Sequence, residues 1–170
     1  LANEKGLAAQ ESFVETENPA SECVPHPLPQ RLGNPHVNEI QILDDRVVIT
    51  AETESEQRII YMDGRGHPEN GELSHHGHSI GWWEGDVLVV ETTQFAPHRR
   101  GNGFAIPSSP QKRLTERYHL SESRLRLIVD YVLEDPEYFS EPLINSFEWQ
   151  YAPHMSLIPF SCDLEVARRY

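Results

Sequence analysis

The chain has 170 residues, with 14 Lys plus Arg against 27 Asp plus Glu and a formal charge of −13. One domain of that length buries about 70% of the surface its unfolded form exposes, so neither a metal nor a disulfide is needed merely to fold. The negative excess repels phosphate backbones and anionic lipid, which excludes nucleic acid as an expected partner. No apolar run approaches the roughly 20 residues that cross a bilayer, so no membrane insertion is expected.

In chain order, residues 1–35 read as a short helix followed by a Pro-rich connector. Ala2, Leu7, Ala8, Ala9, Phe13 and Val14 lie among Glu, Lys and Gln, with Gly6 as an interruption. Pro19, Pro25, Pro27, Pro29 and Pro35 exclude a central strand or a long helix, and Cys23, Val24, Leu28 and Leu32 give the connector something to bury. From Val37 the period becomes two. Residues 38–42, the turn Asp44-Asp45, residues 46–53, a polar turn at 54–56 and residues 57–62 read as strands joined by tight, hence antiparallel, connections.

The stretch 63–93 concentrates the chemistry. Asp63-Gly64 supplies the positive φ of a tight reversal. His67, His75, His76 and His78 follow in a segment rich in Gly, Asn and Ser, and Ser79, Ile80, Trp82 and Trp83 lead into the turn Glu84-Gly85-Asp86 and a strand over 87–93. Residues 95–111 form a long loop with His98, Arg99 and Arg100, long enough to read as a functional lid. Residues 113–120, 124–133 and 143–151 alternate, and 155–162 reads as a last strand despite Pro159. These elements make one mainly β domain over 1–170. The expected architecture is an antiparallel, up-and-down, lipocalin-like β-barrel of about eight strands over 36–162, preceded by the short helix and followed by a C-terminal tail at 163–170.

Polar residues in phase with apolar faces are the informative exceptions. Glu116 is in phase with Leu114 and Tyr118, Glu91 with Val87 and Val89, and Asn145 with Leu143 and Phe147. If these faces look inward, two carboxylates share a cavity, and desolvation raises their pKa values into the range of general acids and bases. The plainer alternative pairs Glu116 with Arg58, Arg65 or Arg113, or leaves both carboxylates in water.

The leading functional expectation is acid/base chemistry on a small, largely apolar or aromatic molecule in the barrel cavity, of lyase, isomerase or hydratase type. His78 and Glu116 are the acid and base, Glu91 or Asp63 orients them, and Arg65 or Asn145 steadies developing negative charge. Trp83, Tyr118 and Trp149 are the aromatic walls. The expectation calls for no cofactor. Two alternatives stand beside it. One is a non-catalytic lipocalin-like binding protein with Glu116 fully paired to Arg. The other is a metal-binding module of His67, His75, His76 and His78, although His-His-x-His matches no recognised zinc spacing. Ser79 lacks the Gly-x-Ser-x-Gly elbow of a nucleophile. Cys23 and Cys162 either close a loop of nearly the whole chain, contributing about 4–5 kcal/mol in the chain-entropy model, or remain unrelated buried thiols.

Asp63-Gly64-Arg65-x-His67-Pro68, then Gly77-His78-Ser79-Ile80-Gly81-x-Trp83-Glu84-Gly85-Asp86-x-Leu88-Val89-Val90-Glu91-Thr92, then Glu116-Arg117-Tyr118 and Asp135-Pro136, resemble the motifs of a large group of uncharacterised bacterial proteins, mostly exported. The resemblance spans about Cys23 to Cys162. It implies a signal peptide outside this stretch, consistent with a chain opening on Leu1, a Cys23–Cys162 disulfide, and an exported location, periplasmic or secreted. Asp86-Val87-Leu88 replaces the group's Asp-Thr-Leu. Ser74-His75-His76 replaces a stretch that often carries Trp-Asn, so metal binding by His75 and His76 is not implied by the resemblance.

Overall fold

The computed structural model describes residues 1–53, 57–158 and 160–168. The expected turn at 54–56, Pro159 and the end of the tail lie outside the described residues. Helix α1 (Glu4–Glu11) opens the chain, capped by Asn3, whose side chain accepts from the Gly6 N–H at 2.9 Å. The Pro-rich connector follows as three short 3-10 turns, at Glu15–Glu17, Pro19–Glu22 and Gln30–Gly33.

Ten strands come next: β1 (Asn38–Ile42), β2 (Arg46–Ala51), β3 (Gln57–Tyr61), β4 (His78–Glu84), β5 (Val87–Thr93), β6 (His98–Gly103), β7 (Ile106–Ser108), β8 (Arg113–Leu120), β9 (Arg126–Glu134) and β10 (Leu143–Gln150). Eight of them form one curled, half-barrel sheet in the order β1-β2-β3-β4-β5-β8-β9-β10, and β6 pairs with β7 as a separate hairpin.

The fold is mainly β, as the alternation implies, but three expectations are corrected. The sheet does not close, because among the described residues β1 and β10 remain its two edges. Nor is it up-and-down throughout, since β3 and β4 pair in parallel, Ile60 with Ser79 and Tyr61 with Ile80. A parallel step needs a long connection, and residues 62–77 supply it, with Gly64 (φ +80°) turning the chain out after Asp63. The described residues of 155–162 form no strand. Phe160 makes only an isolated parallel bridge to Thr53, and the β9–β10 ladder ends at the Tyr151 N–H to Leu125 carbonyl bond of 2.8 Å. The loop expected over 95–111 contains the β6–β7 hairpin, and the tail contains the short helix α2 (Leu164–Ala167).

Side-chain period fixes two faces. One lateral row crosses all eight strands, in the order Ile42, Val47, Ile60, Ser79, Thr92, Leu114, Leu133 and Leu143. It lies on the inner face, where Leu28 and Leu32 of the connector, Phe95, Ile106 and Phe139 pack on Val90, Val129 and Tyr131 to make the core. The space left beside Arg58 and Trp149 is about 10 Å³, room for about one water molecule. Cys23 and Cys162 are bonded, and no helix among the described residues is long and apolar enough to cross a membrane.

Candidate functional site

Two polar assemblies lie back to back on the sheet. On the inner face, Arg58 and Glu116 form a bidentate pair, Nη1 to Oε1 at 2.9 Å and Nη2 to Oε2 at 2.5 Å, with side-chain exposures of 3% and 0%. The Tyr118 hydroxyl donates to Glu116 Oε1 at 2.7 Å and accepts from Arg58 Nη1 at 3.1 Å. Arg58 Nε and Nη2 also donate to Ser79 Oγ, at 3.2 and 3.1 Å, and Nη2 to Thr92 Oγ1 at 2.8 Å. Every group is buried and partnered, which is the condition under which a charge survives in a core. Burial opposes the Arg58 charge, but Glu116 and Tyr118 outweigh it and hold the guanidinium above its usual pKa. Burial, then the Glu116 charge, lifts the Tyr118 phenol well above its usual value. The pairing of Glu116 with Arg58 is one of the three partners the sequence offered.

On the outer face, the parallel step brings the motif residues together. Gly77 has φ +65°, and a Cβ there would lie 2.4 Å from the Thr93 carbonyl, so only glycine lets the loop enter β4 at His78. His78 Nδ1 lies 2.8 Å from His67 Nδ1. His67 Nε2 lies 3.3 Å from Glu91 Oε1, an ion-pair distance whose alignment falls short of a hydrogen bond. Arg113 Nη1 donates to the other Glu91 oxygen at 3.3 Å. The His78 ring stacks on Tyr61 with centroids 5.2 Å apart, and the Arg65 guanidinium covers Tyr61 at 4.0 Å. Asp63 grips Arg65 through both carboxylate oxygens, at 2.9 and 2.5 Å, and that contact holds its carboxyl down at about 2. Asp63 is therefore committed to Arg65 as an ionised partner. Burial, then His67, then Arg65 lowers the His78 pKa, so its imidazole is neutral near pH 7.

One pair of tautomers suits this chain of contacts. A carboxylate beside His67 Nε2 favours a proton on that nitrogen. His67 Nδ1 then presents a lone pair and accepts from His78 Nδ1–H. That leaves His78 Nε2 with a lone pair, the arrangement of an oriented general base.

The sheet keeps His78 and Glu116 apart. Val90 pairs laterally with Glu116, and Ser79 with Thr92, on the inner face, whereas His78 and Glu91 belong to the opposite parity. His78, Glu91, Asp63 and Arg65 are brought together outside, Glu116 and Tyr118 inside. Trp83 shares the inner-face row of Leu88 and Tyr118 but is half exposed at the end of β4. Trp149 packs 6.2 Å from Tyr118 and donates its indole N–H to the Leu32 carbonyl at 2.8 Å, and Asn145 lies opposite Tyr131 on the edge strand β10.

The loop histidines divide into two groups. His67 joins His78, whereas His75 packs edge-on to His98 at 5.6 Å and His76 Nε2 contacts Arg31 Nη1 at 3.1 Å. The metal module of His67, His75, His76 and His78 is thereby corrected: among the described residues no three His, Cys, Asp or Glu are placed to share an ion.

Sequence reading missed a further buried group. Lys112, 1% exposed, donates to the carbonyls of Leu28 and Gly101 and sits 4.6 Å over the Phe95 ring. Burial depresses its amine to about 7 against the opposing pull of Asp135. Its position inside a polar loop carried no periodic signal. No family model, no curated protein and no solved structure matches the chain.

Proposed function

We propose that this protein is a small-molecule enzyme whose acid/base apparatus is Glu91, His67 and His78 on the outer face of the sheet. The carrying observation is the continuous series from Glu91 through both histidine rings to His78 Nε2. When His78 accepts a proton, the imidazolium charge is shared through its Nδ1–H with His67 and stabilised by the carboxylate beyond. Positioned proton transfer of this kind contributes about 10²–10⁴-fold in rate. Arg65 and Tyr61 form the adjoining wall, and a proton abstracted next to a carbonyl, as in lyase, isomerase or hydratase chemistry, suits a neutral imidazole base. Glu116 serves the fold as the partner of Arg58. The disulfide supports an oxidising, exported setting, which agrees with membership of the exported bacterial group that the motifs resemble.

The test is deuterium uptake by a panel of small ketones, aldehydes and thioesters in D₂O, followed by proton NMR. Wild type and Glu116→Gln exchange the α-protons of at least one panel member, and His78→Ala does not. Exchange that survives His78→Ala sinks the proposal.

A further inference from the structure

The loop that carries His67 has few ties to the sheet. Residues 62–77 link β3 to β4, and toward the far end the Ser74 N–H donates to the Gln94 carbonyl at 3.1 Å while the Ala96 N–H donates to the Ser74 carbonyl at 2.8 Å. Over 66–73, among the described residues, polar contact with the rest of the fold comes from two sources. One is the His67 ring, through His78 and Glu91. The other is the Gln94 side chain, whose amide donates to the Pro68 carbonyl.

Gln94 ties both histidines to one point. It follows Thr93, the lateral partner of His78 on β5, and it grips Pro68, the residue after His67. Its φ of +61° is a left-handed conformation that a residue with a side chain adopts at a cost, and residues strained in this way cluster at functional sites. In that conformation one residue offers its carbonyl to Ser74 and its amide to Pro68. Gly71 completes the seat, since a Cβ there would lie 2.6 Å from Gln94 Nε2. The Gln94 side chain makes no hydrogen bond to His67, His78 or Glu91 themselves, so its influence on them passes through the loop.

We propose that Gln94 is the positioning residue of the histidine pair: by anchoring Pro68 it holds the His67 ring between Glu91 and His78 Nδ1. The pyrrolidine ring fixes φ at Pro68, so a Pro68 carbonyl held in place also fixes the direction from which His67 enters. Gln94 thus governs where the lone pair of His67 Nδ1 points, and through it the proton on His78. The catalytic consequence rests on the acid/base role proposed above for Glu91, His67 and His78; the effect on the two rings does not.

The test is histidine ring NMR on the full chain, following the His78 ring protons across about pH 5 to 8 and the ring nitrogens, which show where the proton sits. Gln94→Met keeps the length of the side chain and removes its N–H. It raises the His78 titration midpoint and shifts the neutral ring away from the Nδ1–H form. Gly71→Ala displaces the flexible amide without touching Gln94 and acts the same way. In a His67→Ala background, Gln94→Met leaves the His78 midpoint where His67→Ala alone puts it, because the effect passes through His67. Exchange of α-protons by the Gln94→Met protein falls at least about tenfold. Gln94 is partly exposed, so these variants fold, and urea midpoints check it. An unmoved His78 titration in both Gln94→Met and Gly71→Ala would overturn the proposal, as would an equal shift in the His67→Ala background. A parent protein that exchanges no panel member removes the acid/base reading alone, and the ring signals still decide the role of Gln94.

Discussion

Arg58 and Glu116 face each other across the inner side of the sheet as a two-point ion pair, one side chain 3% exposed and the other 0%. Removing one partner of a buried pair strands the other charge, at a cost of about 3–5 kcal/mol, whereas replacing both with apolar groups of similar volume is often neutral. Glu116→Gln is therefore expected to lower the unfolding free energy in urea by about 3–5 kcal/mol. The double variant Arg58→Met, Glu116→Leu should recover much of that loss, less the desolvated hydroxyls of Ser79, Thr92 and Tyr118. A Glu116→Gln protein as stable as the parent would show that the pair contributes nothing.

Acid should weaken the fold through His98. Burial, then the neighbouring His75, Lys112, His26 and Arg100, holds its imidazole at about 4, below the usual 6.5. The folded-state value is depressed, so between pH 6.5 and 4 the unfolded chain binds the proton that the folded chain refuses. Stability is unaffected by this group above pH 6.5 and falls as pH drops through the window, by up to about 3 kcal/mol. His98→Asn retains an acceptor for the Arg100 N–H, which His98 Nδ1 now receives at 3.1 Å. Urea midpoints at successive pH values should show a shallower acid slope in that variant.

His67 adds to burial in lowering the proton affinity of His78. Because His67 is the second cause of the depressed His78 pKa, after burial, His67→Ala should move the His78 titration upward toward the ordinary histidine value. Ring-proton NMR across pH 5 to 8 follows it directly. The same variant is expected to lose most α-proton exchange, since His78 then lacks the acceptor that fixes its tautomer. An unmoved titration curve would separate the two rings electrostatically.

The bond between Cys23 and Cys162 links positions 139 residues apart. In the chain-entropy model such a loop contributes about 4–5 kcal/mol. Cys23→Ser with Cys162→Ser should show a loss of that order in urea unfolding, and reduction of the parent protein should reproduce it.

Much of the sheet could be read in advance because alternation is a local property. Leu114, Glu116 and Tyr118 share a face by period two alone, as do Leu143, Asn145, Phe147 and Trp149. Asp63-Gly64 announces its turn, and five prolines exclude a central strand or a long helix from the connector. Arg58 was legible as one of three cations able to meet Glu116, but nothing local chose among them. The buried Lys112 left no trace in sequence, since its partners, the carbonyls of Leu28 and Gly101 and the Phe95 ring, come from stretches that only folding brings together.

The sequence by itself determined which residues along each strand share a face, where the chain turns and which loop carries the histidines, because these depend on side-chain period and on the φ preferences of neighbouring residues. Only the tertiary structure decided that β3 and β4 run parallel, that His67 and His78 meet while His75 and His76 turn to His98 and Arg31, and that Glu116 lies across the sheet from His78. Those outcomes rest on lateral register and on the path of a long connection. Both are set by which whole arrangement buries the apolar rows and satisfies the Arg58 charge together, a condition that no single stretch of sequence contains.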